Sequence, residues 1–167
     1  MSTGYRQLLN KEISHYTATP VADLGDRCVV NGNEYTYCWV KTGVTALQGY
    51  AVSLSASTSY TVTMSGPASD GTLDAFGVVQ NSDIPAGNYG WILTKGFAQA
   101  VPGHNRALSL NDYVHLVTTD NTGNIATITS LTYWSNVANA PKPFANVVQA
   151  GDTAGSVANA TIYVHGR

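Results

Sequence analysis

Charge is what this chain has least of. Of its 167 residues, 8 are Lys or Arg and 10 are Asp or Glu, 11% in all, against about 25% in an ordinary soluble domain. From Thr42 to Ser69, and again from Asn121 to Pro141, no side chain is charged. Ser, Thr, Gly and Asn stand where Lys and Glu would be expected. Enzymes gather ionisable groups in a cleft because acids, bases and charge stabilisers carry the chemistry. A chain this short of them is expected to work by contact and not to be an enzyme.

Other absences narrow the class further. The cations stand singly, at Arg6, Lys11, Arg27, Lys41, Lys95, Arg106, Lys142 and Arg167. Without a basic tract to neutralise phosphates, nucleic acid is not an expected partner. No apolar run approaches the ~18 residues of a helical membrane span, so no membrane partner is expected either. The opening MSTGYRQLLNKEISHY has no apolar h-region, so a secretory signal is not expected.

Cysteine is nearly missing. Cys28 and Cys38 are the two present. If Asn31-Gly32 forms a two-residue turn, Cys28 falls opposite Tyr35. A direct Cys28–Cys38 pairing would need a five-residue loop centred on Asn33. Cross-linking requires Cα atoms within ~7 Å, so two buried thiols are the expected state.

Reactive constellations are also lacking. His15, His104, His115 and His165 lie too far apart in sequence for local metal-ligand spacing, and the cysteines are not in a C-x₂₋₄-C unit. No metal or cofactor is expected. Gly66-Pro67-Ala68-Ser69-Asp70-Gly71 misses the nucleophile-elbow spacing by one residue. Gly151-Asp152-Thr153-Ala154-Gly155 has Ala where an aspartic-protease loop needs Gly. Asp23, Asp26, Asp70, Asp83, Asp120 and Asp152 stand in turn-like contexts, where Asp normally satisfies its own backbone.

What the chain does have is apolar and aromatic material: 44% hydrophobic residues, with ten Tyr, three Trp and three Phe. That is enough to fold. Trp39, Trp91 and Trp134 could stack sugars, but their apolar surroundings favour the core for at least two of them.

From Asp26 onward the hydrophobic period is two. Arg27–Val30, Asn31-Gly32-Asn33 and Glu34–Val40 read as a β-hairpin with one face of Tyr35, Tyr37 and Trp39, since Asn-Gly supplies the positive φ of a tight turn. Ala51–Ser55 and Ser59–Ser65 read as a second hairpin, with Tyr60, Val62 and Met64 sharing a face. Leu73–Gln80 reads as a strand with a bulge or close approach at Gly77. Tyr89–Thr94 is expected to be reversed at Lys95-Gly96, with Phe97–Val101 as its partner. Asp112–Thr119 and Asn124–Thr129 form a further expected hairpin, residues 130–146 stay ambiguous, and Val157–His165 closes the domain. Many short strands with turn signals between them predict an all-β fold, a single β-barrel or β-sandwich.

Residues 1–25 differ. Gly4–Tyr16 carries apolar residues at helical spacing, and Thr19-Pro20 imposes extended backbone. Too short to be stable alone, this N-terminal arm must dock, either on its own domain over 26–167 or on another molecule. Tyr5, Leu8, Leu9, Ile13 and Tyr16 are its candidate interface residues.

Leu24-Gly25-Asp26-Arg27, the segment Asn31-Gly32-Asn33-Glu34-Tyr35-Thr36-Tyr37, then Ala46-Leu47-Gln48-Gly49, and Asn88-Tyr89-Gly90-Trp91-Ile92-Leu93-Thr94-Lys95-Gly96 together form a pattern. It resembles the small head proteins of tailed bacteriophages that decorate or cement the outer capsid. The likeness runs in pieces from about residue 24 onward and is mostly β-hairpin grammar.

The resemblance implies a β-tulip-like body, self-association as a dimer or trimer, and binding to the major capsid protein lattice. It implies head stabilisation at the outer surface of the virion, after synthesis in the host cytoplasm, with the arm as anchor. Two other readings remain open. One is a tail-tube or fibre-associated structural protein; the other is a carbohydrate-binding or glycan-degrading module using the Trp and Asp residues.

Overall fold

The computed structural model describes residues 13–56, 59–64, 75–103, 108–116, 125–127, 144–150 and 159–165. Ten strands are described: β1 (Arg27–Val30), β2 (Asn33–Val40), β3 (Ala51–Ala56), β4 (Thr61–Thr63), β5 (Ala75–Val78), β6 (Tyr89–Pro102), β7 (Tyr113–Leu116), β8 (Ile125–Thr127), β9 (Ala145–Gln149) and β10 (Asn159–His165). They join one mixed sheet in the order β1-β2-β4-β3-β5-β6-β10-β9-β7-β8, and β2 also pairs with β6. That extra pairing closes β2, β4, β3, β5 and β6 into a ring. The fold is all-β, as expected.

The first hairpin has the expected register, Cys28 opposite Tyr35. Asn31 and Gly32 have φ of 50° and 80°, the paired positive angles of a type I′ turn, whose twist suits the flanking strands. β3 and β4 pair antiparallel, and Tyr60, Val62 and Met64 belong to one cluster. β7 and β8 pair antiparallel as expected. The ambiguous stretch contributes Ala145 and Asn146 to β9, which lies between β10 and β7.

One expectation fails. Lys95-Gly96 does not reverse the chain; β6 runs through it as a single 14-residue strand. Gly96 has φ of 119°, a value available to glycine without strain. Asn33 Oδ1 accepts the Phe97 N–H at 3.0 Å, tying the irregularity to β2. The ladder slips there: Glu34 faces Lys95 while Tyr35 faces Leu93. The unmatched Thr94 donates to the Glu34 carbonyl at 3.4 Å and shares a 3.0 Å hydrogen bond with Thr36. A positive-φ glycine serves a bulge as well as a turn, and here partners on both edges keep the strand going.

β6 is the shared wall of two cores. Its first half pairs with β2, and its second half with β10. Ring strands send Cys38, Val40, Val52, Val62 and Ile92 into one cluster, sealed by Ala46, Val79 and Ile84. The opposite faces of β2 and β6 send Tyr35, Tyr37, Trp91 and Leu93 into a second cluster. This one continues under the remaining strands through Val101, Ile162, Val164, Val147 and Val114. Each fully buried Val, Ile or Leu is worth about 1.5–3 kcal/mol. Gly77 fits where β5 meets β6, since a methyl there would collide with the Leu93 carbonyl.

Candidate functional site

Among the sequence-derived candidates, Ile13 and Tyr16 lie in the described part of the chain; Tyr5, Leu8 and Leu9 lie outside it. The expected helix over 4–16 falls almost wholly outside it too. Ile13 is 7% exposed and packs in the second core of its own chain, whereas Tyr16 is 48% exposed. The two therefore part company.

Residues 13–25 lie against the body through specific bonds. Asn81 Nδ2 donates to the Ile13 carbonyl at 3.2 Å, and Ser82 Oγ donates to the Ser14 carbonyl at 3.0 Å. Thr17 pairs with Tyr89, each backbone N–H donating to the other's carbonyl. Tyr37 is the hub of this contact. Its hydroxyl accepts the Val21 N–H at 3.1 Å and bonds Thr17 Oγ1 at 3.2 Å, while its carbonyl accepts the Gly25 N–H. Its ring rests on Tyr89 and Trp91, with centroids 6.1 and 5.0 Å away. The aromatic alternation of β2 pointed to such a face; the hydroxyl's role in holding the preceding segment left no mark in the sequence.

Three of the described acids accept backbone N–H groups. Asp26 Oδ2 accepts the Asp23 N–H, Asp83 Oδ1 accepts the Gln48 N–H at 2.7 Å, and Asp112 Oδ2 accepts the Ser109 N–H. Arg27 Nη1 lies 3.3 Å from Glu34 Oε1 across the first hairpin, a surface pair of small energetic weight. Both cysteines are buried thiols outside any disulfide, one in each core. Burial alone pushes the Cys38 thiol far above its ordinary value, which suits a packing role and not a nucleophile.

The open aromatic surface lies elsewhere. Trp91 is 4% exposed, Trp39 is half-buried, and Trp134 lies outside the described residues. Instead the solvent-facing side of β6, β10, β9 and β7 carries a cross-strand row. Phe97 is opposite Tyr163, Tyr163 opposite Asn146, and Asn146 opposite Tyr113. Phe97 and Tyr113 are 54% and 58% exposed. Ring centroids of Phe97 and Tyr163 are 5.0 Å apart, those of Tyr163 and His165 5.9 Å, and those of His165 and Tyr113 6.5 Å. Simple alternation along Phe97–Val101 and Val157–His165 carried the signal, but the pairing that joins the rings crosses more than 60 residues of chain.

No protein-family model matches the chain, and no curated protein does. Among solved structures, the chain is similar to the head fiber gp8.5 N base of bacteriophage phi29. Identity is 9% and the TM-score 0.46, over 78% of this chain and 93% of that one. The likeness is remote.

Proposed function

We propose that this chain is a structural component of a tailed-phage head, one that binds the outer surface of the capsid lattice and stabilises it by protein contact. The observation that carries this reading is the convergence of the segments in which the sequence resembles head-decoration proteins. Residues 24–27, 31–37 and 88–96 are separated along the chain, yet they meet in one unit. β1 pairs with β2, β2 pairs with β6, and Gly25 is held by Tyr37. The segment 46–49 is clipped to residues 79–84, with Gly49 N–H on the Val79 carbonyl and Ala46 paired with Ile84. Segments dispersed in sequence and contiguous in space support the reading of one shared body.

In this reading the partner is the major capsid protein, and the protein self-associates as a dimer or trimer. Tyr5, Leu8, Leu9 and Tyr16 supply the anchoring contact, with Ile13 tying the anchor to the body. Strands rich in Thr, Val and Tyr give contact area at little cost in side-chain entropy.

Co-sedimentation with heads lacking the protein tests the assignment. Full-length protein should bind saturably, and a chain lacking residues 1–12 should melt at the same temperature but fail to bind. Heads that sediment without the full-length protein would refute it. A truncated chain that decorates fully would remove the anchor.

A further inference from the structure

We infer that the outer face of β6, β10, β9 and β7 is a binding site for a neutral oligosaccharide. The inference rests on this face alone and is independent of head attachment.

Three observations support it. The first is the row of rings. Phe97, Tyr163, His165 and Tyr113 form a continuous chain of contacts, and its two ends, Phe97 and Tyr113, are each more than half exposed. Neighbouring rings are tilted by 74°, 64° and 37°, so the row is a ridge of alternating faces and edges. The C–H face of a pyranose carries a slight positive charge and packs against the electron-rich face of an aromatic ring.

The second is the company the rings keep. Asn146 sits in the row between Tyr163 and Tyr113. Gln99 is exposed two residues beyond Phe97 on the same side of β6, and Thr161 Oγ1 donates to Gln149 Oε1 at 3.4 Å. Amides and hydroxyls match the mixed donor and acceptor character of sugar hydroxyls. Lys95, opposite Glu34 and His165 in its ladders, is the one Lys, Arg, Asp or Glu among the outward residues described on these strands. The face is therefore sparsely charged and matches a neutral ligand.

The third is size. Four strands spaced ~4.8 Å apart are about 14 Å wide from first to last, and three outward residues cover a similar length. The resulting area, roughly 200 Å², is well short of the ~800 Å² per partner of a stable protein interface. It suits two or three sugar rings. The ligand would lie across the strands, following the row from Phe97 to Tyr113.

Titration of the full chain with cellotriose, maltotriose and chitotriose, followed by saturation-transfer NMR, tests the site. At least one trisaccharide should bind saturably and receive saturation on its C–H protons. Phe97→Ala and Tyr113→Ala, both at positions more than half exposed, should each weaken that binding at least tenfold while the variants stay folded by circular dichroism. Phe97→Tyr should retain it. Failure of all three sugars to saturate would overturn the inference, as would unchanged binding by the Phe97→Ala, Tyr113→Ala double variant. An oligomer that the double variant dissolves would assign the face to a second copy and also overturn it. Head co-sedimentation of the same double variant reports on capsid attachment separately, and it should be unaffected.

Discussion

At the scale of single residues, burial decides more than charge does. Tyr35 and Cys38 lie three residues apart in β2 and face different cores. Burial raises the Tyr35 hydroxyl, against hydrogen bonds from Asn33 and Asn81 that lower it, and it raises the Cys38 thiol more strongly. For both groups the folded state holds the proton more tightly than the unfolded chain. Their contribution to stability is therefore complete at neutral pH and is lost as pH rises past the unfolded values, about 8.5 for Cys and 10 for Tyr. Urea unfolding should accordingly show constant stability to about pH 8, then a decline approaching ~1.4 kcal/mol per pH unit for one such group. Cys38→Ala should flatten the decline between about pH 9 and 10; an identical slope in that variant would show that Cys38 does not titrate with unfolding. The position of Cys28 opposite Tyr35 was legible because one Asn-Gly turn sets the whole register. The capture of Phe97 by Asn33 was not, because it joins residues 64 positions apart.

At the scale of elements, local grammar located strands better than it located their ends. The first hairpin was readable because Asn-Gly and an alternating aromatic strand demand the same geometry. Gly77 was also readable, as a close approach. Lys95-Gly96 was misread as a reversal because a positive-φ glycine looks alike in a turn and in a bulge; only the partners β2 and β10 distinguish them. β9 was obscured by the Pro-containing stretch before it. The parallel pairing of β2 with β4 had no local signal, since parallel neighbours must be joined by a long connection. The hairpin also offers a clean backbone test. A Cβ at Gly32 would meet nothing within 4 Å, so Gly32→Val would cost backbone strain alone. We expect a loss of about 1–3 kcal/mol with an unchanged denaturant m-value, measured by urea unfolding. No loss would mean that the turn readily gives up its positive φ.

At the scale of the whole molecule, the sparse charge and the closed ring belong together. The stretches Tyr35–Val40 of β2 and Gly90–Leu93 of β6 lie between the two cores, which leaves little room there for ionisable groups. Among the described residues, the exposed charges stand singly, and an aromatic row lies on one side of the sheet. Residues 13–25 are bound to the closed ring, in part through Tyr37 and Tyr89. The all-β class was legible from the two-residue period and the turn signals between short strands. The division of the core and the place of the aromatic row were not, because both depend on pairings between distant strands. The central claim, attachment to the outside of a phage head, is tested most directly by electron cryomicroscopy of heads prepared with and without this protein. The account predicts ordered difference density at regular lattice positions on the outer capsid surface, large enough for the β body. Identical maps, or density confined to the tail, would contradict it.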